Sequence, residues 1–198
     1  MANGHRTPDV RVPVTRRSAV IVARELPNAS PMNLPELLLP EFDAEMKTTR
    51  RVLEGVPDGK GDWQAHPKAW KLGHLAQLVA MLPGWTTMTM KQTELDIAPK
   101  DGPRTGYTME KTATLLETFE KGAKEGRQAI VDAKPEDWNV PWTLKRAGES
   151  VLTLPRYMIY RQFTLNHLVH HRAQLAMYLR LLDVHVPSMY GPSGDGKS

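Results

Sequence analysis

The chain has 198 residues, 40% hydrophobic and 24% charged, with no cysteine. A body of ~150 residues is enough to bury a single core, and the absence of cysteine excludes disulfide frameworks, Cys-ligated zinc or iron–sulfur sites and thiol nucleophiles. The longest apolar runs, Ala19–Ala23 and Leu78–Leu82, are far shorter than the ~20 residues of a membrane span, so no membrane partner is expected. Of the net charge of +4, residues 1–31 hold +3, through Arg6, Arg11, Arg16, Arg17 and Arg24 against Asp9 and Glu25. The body is therefore nearly neutral and has no bulk charge to recruit nucleic acid.

Residues 1–31 carry Pro8, Pro13, Pro27 and Pro31 and show no helical or strand period, so they are expected to form a disordered basic leader. The apolar stretch after Arg16-Arg17 is too short for the ~7–15 residues of an export signal, and no cleavage site follows. The leader reads as an extension upstream of Met32, on a cytoplasmic protein.

Four segments of the body, taken as residues 32–187, have helical spacing. The first runs from Pro40 to Glu54, with Phe42, Met46, Thr49 and Leu53 on one stripe. Pro40 suits a first turn and not an interior, and Gly55 and Pro57 end the helix. The second starts near Pro67, carries Trp70, Leu75, Leu78, Val79 and Leu82, and kinks or breaks at Pro83-Gly84. A long connection rich in glycine and proline, residues 91–107, follows. The third begins after Thr108, a candidate N-cap, turns Leu115, Leu116, Phe119, Ala123 and Ile130 inward, and stops before Pro135. Asn139–Leu154 reads as a short hairpin or an irregular excursion. The fourth, Pro155 to Leu182, is the strongest and would span ~42 Å. Together they predict an all-α four-helix bundle with long crossover connections, followed by a C-terminal tail over residues 188–198.

The tail Gly191-Pro-Ser-Gly-Asp-Gly196-Lys197-Ser198 matches the phosphate-loop pattern letter for letter. That pattern works between a strand and a helix, where backbone N–H groups face the phosphates; here a predicted helix precedes it, so it is set aside.

His167 and His171 stand i,i+4 on the inward stripe of the fourth helix, about 40° apart around its axis. Two imidazoles so placed can aim nitrogens at one metal at ~2.0–2.1 Å. Such spacing also occurs in bundle cores where histidines are merely hydrogen-bonded, so the pair alone does not decide. His170 falls to one side as a rim group; His5, His66 and His185 read as solvated. A third ligand would come from a facing helix: His74, or less readily Asp43 or Glu45. Trp63, Trp70, Trp85, Trp138 and Trp142 read mostly as packing, with Trp85 and Trp142 as candidates to line a pocket mouth.

The run Asn166-His167-Leu-Val-His170-His171-Arg172-Ala-Gln174-Leu175, then Tyr178-Leu-Arg180-Leu and Val186-Pro187-Ser-Met-Tyr190-Gly191-Pro192-Ser193, resembles the C-terminal signature of DinB-like (damage-inducible) proteins. Leu82-Pro83-Gly84-Trp85, Glu94-Leu95-Asp96 and Pro141-Trp142-Thr143-Leu144 are also similar to that family. The resemblance spans roughly Met32 to Asp195 and implies a four-helix bundle, commonly a homodimer, holding a divalent metal on three histidines. His167 and His171 match two of these. The third falls at Leu78, with His74 one turn earlier on the same face. His74 either replaces that ligand or leaves a two-histidine site.

Two functions are open. One is a metal-dependent enzyme (nickel, zinc or manganese) on a small-molecule substrate, a hydrolase or thiol S-transferase, with His74, His167 and His171 as ligands and Tyr160, Gln174 and Tyr178 as orienting groups. Arg172 and Arg180 would bind an anionic substrate or form salt bridges. The other is a non-catalytic dimeric helical bundle, stress-associated, with a degenerate metal site.

Overall fold

The structure, a computed structural model, describes residues 33–99 and 111–195. The predicted leader, the Thr108 cap and the last three residues of the tail lie outside them.

Helix α1 runs from Leu34 to Glu54, six residues longer at its start than its apolar stripe predicts. The start signal is a capping box. The Asn33 side-chain oxygen accepts from the Glu36 N–H at 3.0 Å, and the Glu36 carboxylate accepts from the Asn33 backbone at 3.4 Å. Pro40, expected in the first turn, is therefore inside the helix. Both Pro40 and Glu36, whose carbonyl it leaves without an N–H donor, are exposed residues.

Helix α2 (Leu72–Met81) begins five residues after the predicted start at Pro67. The intervening residues form a loop whose exit is fixed by two backbone bonds, Leu72 N–H to Trp63 O and Gly73 N–H to Gly61 O, both 2.9 Å. The chain turns at Leu82-Pro83, as the proline predicts, and resumes as α3 (Gly84–Lys91). Helix α4 (Thr112–Asp132) is pinned at its start by Asp58, whose carboxylate accepts from the Thr112 N–H at 2.9 Å and its hydroxyl at 2.8 Å. The last helical stretch is one continuous rod in three pieces: α5 (Arg156–Ile159), a π-helical segment (Tyr160–Asn166) and α6 (His167–Leu181).

The all-α expectation needs correcting, because a three-stranded sheet is present, ordered β1 (Glu94–Asp96), β2 (Pro141–Arg146), β3 (Glu149–Pro155). Strands β2 and β3 are the anticipated hairpin, antiparallel from Pro141↔Pro155 to Arg146↔Glu149 with a bulge between Leu144 and Lys145. Its tip has Ala147 at φ 53° and Gly148 at φ 86°, the double positive φ of a type I′ turn. Strand β1 adds in parallel on the other side of β2, pairing Leu95 with Leu144. The Asp96 carboxylate then accepts three backbone N–H groups, from Ala98 (2.9 Å), Ala147 (3.0 Å) and Gly148 (2.7 Å), and those bonds, the one from Ala98 foremost, hold its pKa below the ordinary value.

One apolar core joins α1, α2, α4 and the last rod through Phe42, Leu53, Leu75, Phe119, Ile130 and Leu168. Helix α4 packs on α1, α2 and α3, and α6 packs on α1 and α2. Gly126 allows the approach of α4 to the start of α3: a Cβ there would lie 2.7 Å from the Pro83 carbonyl oxygen. Among the described residues no helix is long and apolar enough to cross a membrane.

Candidate functional site

The rod from Arg156 to Leu181 positions the two histidines. Its π-helical segment ends at Asn166, immediately before His167, and such over-wide turns change which side chains share a face. His167 and His171 then lie with ring centroids 4.6 Å apart. Each has one nitrogen engaged within the helix. His171 Nδ1–H donates to Gln174 Oε1 at 2.8 Å, and His167 Nδ1 faces the Phe163 carbonyl at 3.4 Å. With Nδ1 carrying the proton, Nε2 keeps its lone pair on each ring, the arrangement by which an outer partner orients a ligating imidazole.

Burial lowers the pKa of both. For His167 it outweighs the opposing Phe163 contact; for His171 it outweighs the Gln174 bond and is reinforced by His167, His170 and His74. His74, on α2, is lowered by burial as well. The imidazoles are therefore neutral near pH 7, the protonation state of metal ligands and general bases.

His74 comes close to His171 through an aromatic partner. The Trp70 indole is stacked against His74 at 4.4 Å and against His171 at 5.1 Å, with interplanar angles of 21° and 18°. Trp70 sits in the loop before α2, and Tyr178 Oη–H, donating to its carbonyl at 3.1 Å, ties that loop to α6. Trp85 of α3 has its ring 5.5 Å from that of His167. His170 is exposed on the rim, 4.8 Å from the His171 ring.

The remaining sequence candidates fall in different places. His167 and His171 form a close pair, yet among the described residues no three of His, Cys, Asp and Glu are grouped as a metal-binding set. Leu78, where the family resemblance calls for a histidine, is buried in the core. Glu45 is taken by Arg172, and Asp43 by Arg127 at 2.9 Å. Arg172 is 1% exposed and works inside the fold: it meets Glu45 at 2.7 Å, Thr49 Oγ1 at 3.0 Å and Tyr190 Oη at 2.6 Å. Arg180 pairs with Asp195 at 2.7 Å. Of the three predicted orienting groups, Gln174 bonds His171 and Tyr178 holds the Trp70 loop. Tyr160 is buried edge-on against Trp138, where burial drives its pKa far up. Trp142, expected near a pocket mouth, is a buried residue of β2. His66 and His185 are exposed, as anticipated, and His5 lies outside the described residues.

Trp70 was not distinguished by sequence reasoning. Its spacing of four from His74 was the available signal, but that spacing marks a shared helix face only inside a helix, and Trp70 precedes α2.

The fold is shared with solved structures. A crystal structure of a DinB-like protein from Bacillus cereus ATCC 10987 superposes with a TM-score of 0.60 at 18% identity, covering 80% of this chain and 98% of that one. A DinB-like protein from Bacillus subtilis, YjoA, superposes with a TM-score of 0.58 at 10% identity, covering 79% and 99%. At these identities the likeness is one of fold. No curated protein matches the chain. The model of the DinB family matches residues 30–195, most of the sequence and all of the elements described above, and the chain therefore belongs to the DinB family.

Proposed function

We propose that this chain is a four-helix-bundle member of the DinB family, a cytoplasmic homodimer in which His167 and His171, with His74 nearby, hold a divalent metal (nickel, zinc or manganese) for chemistry on a small molecule. The observation that carries the reading is the pair of imidazoles with ring centroids 4.6 Å apart, each with Nδ1 engaged within the helix. Two ligand positions fit a metal on this ground. The chemistry supplied by a metal held there is polarisation of a substrate carbonyl, or a lowered pKa for bound water or thiol, which fits a hydrolase or a thiol S-transferase. Gln174 engages His171 Nδ1, Tyr178 holds the Trp70 loop, and the Trp70 and Trp85 rings lie against the imidazoles.

A second reading has its own support. Leu78 is buried where the resemblance implies a ligand, and His74 does not complete a three-residue group. These observations favour a non-catalytic bundle with a degenerate metal site. Metal stoichiometry by elemental mass spectrometry separates the two. About one bound metal per chain, lost in His171→Ala, supports the enzyme; background metal in a folded protein after loading with nickel, zinc and manganese leaves the bundle.

A further inference from the structure

A solvent-open groove of about 400 Å³ runs between α3 and α4, with Trp85 in its wall and His167 not among its lining residues. Met81 and Trp85 supply its apolar surface, and Lys121 and Glu125 stand on its α4 wall. The volume is in the range of small-molecule sites, which combine apolar lining with a few placed polar groups. Lys121 and Glu125 are one helical turn apart, in the Lys-before-Glu order that makes the poorer intrahelical pair, and among the described residues neither has an ion-pair partner.

The glycines of the groove differ in a way that packing does not explain. Gly122 is required by the close approach of α3 and α4, since a Cβ there would lie 2.9 Å from the Gly84 backbone nitrogen. Gly84 is not required. A Cβ on Gly84 meets only the Gly122 Cα, at 3.8 Å, an ordinary contact. Alanine would fit there and is the better helix former, yet α3 opens with a residue whose missing side chain leaves the groove floor clear.

We propose that this groove binds a small zwitterion with an apolar body, of the α-amino-acid class. Its carboxylate meets Lys121, its ammonium meets Glu125, and its side chain lies on Trp85 and Met81 over Gly84. The site does not depend on metal at the histidines.

The test titrates the full-length protein with L-phenylalanine, following backbone and indole N–H resonances. Two analogues each lack one charge: 3-phenylpropionate and phenethylamine. The expected result is saturable binding at millimolar concentration, with shifts centred on Trp85 and α4, and about tenfold weaker binding for each analogue and for Lys121→Gln and Glu125→Gln. Gly84→Ala should keep or raise the melting temperature while weakening binding. Two results overturn the proposal: no saturable shift at Trp85 with L-phenylalanine, or equal binding of all three ligands to the wild type and to both charge variants. Neither outcome depends on whether His167 and His171 hold a metal.

Discussion

The Trp70 indole lies nearly parallel to the His171 imidazole, 5.1 Å between centroids, and covers a residue on which the proposed site depends. Its backbone is held from α6 by Tyr178, so the loop and the helix that carries His171 are coupled through one hydrogen bond. Replacing Trp70 with alanine is expected to raise the rate of diethylpyrocarbonate modification at His171 and His74 several-fold. The exposed His66 and His185 serve as internal controls. Tyr178→Phe should give a smaller increase at the same two residues. Peptide mass spectrometry over a time course reads both, and unchanged rates at His171 in Trp70→Ala would show that the indole does not shield it.

Arg172 and Glu45 form an ion pair in which the arginine is almost wholly buried. Removing one partner of such a pair leaves an uncompensated charge, which costs about 3–5 kcal/mol when burial is complete. Glu45→Ala is expected to lose roughly 3 kcal/mol in urea unfolding, since Glu45 is partly open to solvent. Asp43→Ala, which breaks the exposed pair with Arg127, should lose under about 1 kcal/mol.

Gly126 and Gly84 predict opposite outcomes for the same substitution. At Gly126 a methyl group would lie 2.7 Å from a backbone oxygen and 3.1 Å from Thr86 Cβ, and two helices must part to admit it. Gly126→Ala should lose about 1–3 kcal/mol, the usual magnitude of overpacking. Gly84→Ala should be neutral or gain up to about 1 kcal/mol, because alanine is the stronger helix former. Melting temperatures of the two variants settle the comparison.

The histidine shifts set a pH dependence. His74, His167 and His171 have folded pKa values below the ordinary 6.5, so the unfolded chain takes up protons before the folded one does as pH falls. Their contribution to stability is complete above about pH 6.5, the unfolded value, and is lost as pH falls through the folded values. The metal-free protein should therefore melt at a lower temperature at pH 5.5 than at pH 7.5. The difference should shrink in His171→Gln, measured by calorimetry at matched ionic strength.

Much of this was legible in the sequence because it is local. The helical character of the last rod, the corner at Pro83 and the end of α4 before Pro135 each follow from residues within a turn or two of one another, whereas the π-helical segment Tyr160–Asn166 did not. The start of α1 was legible too, but through Asn33 and Glu36, and an internal proline at Pro40 outweighed them in the reading of periodicity. Strand β1 was not legible: three residues become a strand only because β2, some fifty positions later, offers them a partner. In the candidate site, the His167–His171 pair followed from helical spacing, whereas the Trp70 stack depends on how a loop closes over α2 and α6. The destination of Arg172 was equally hidden, since its partner Glu45 lies on another helix.

In the proposed site His167 and His171 bind one metal ion through Nε2 while Nδ1 stays protonated. Long-range proton–nitrogen correlation spectra of ¹⁵N-histidine protein, recorded with and without one equivalent of zinc, test it directly. The Nε2 signals of His167 and His171 are expected to move together on zinc addition, their Nδ1 signals to stay in the protonated range, and His66 and His185 to be unchanged. Zinc shifts confined to His66, His170 and His185, with the Nε2 signals of His167 and His171 unmoved, would contradict it.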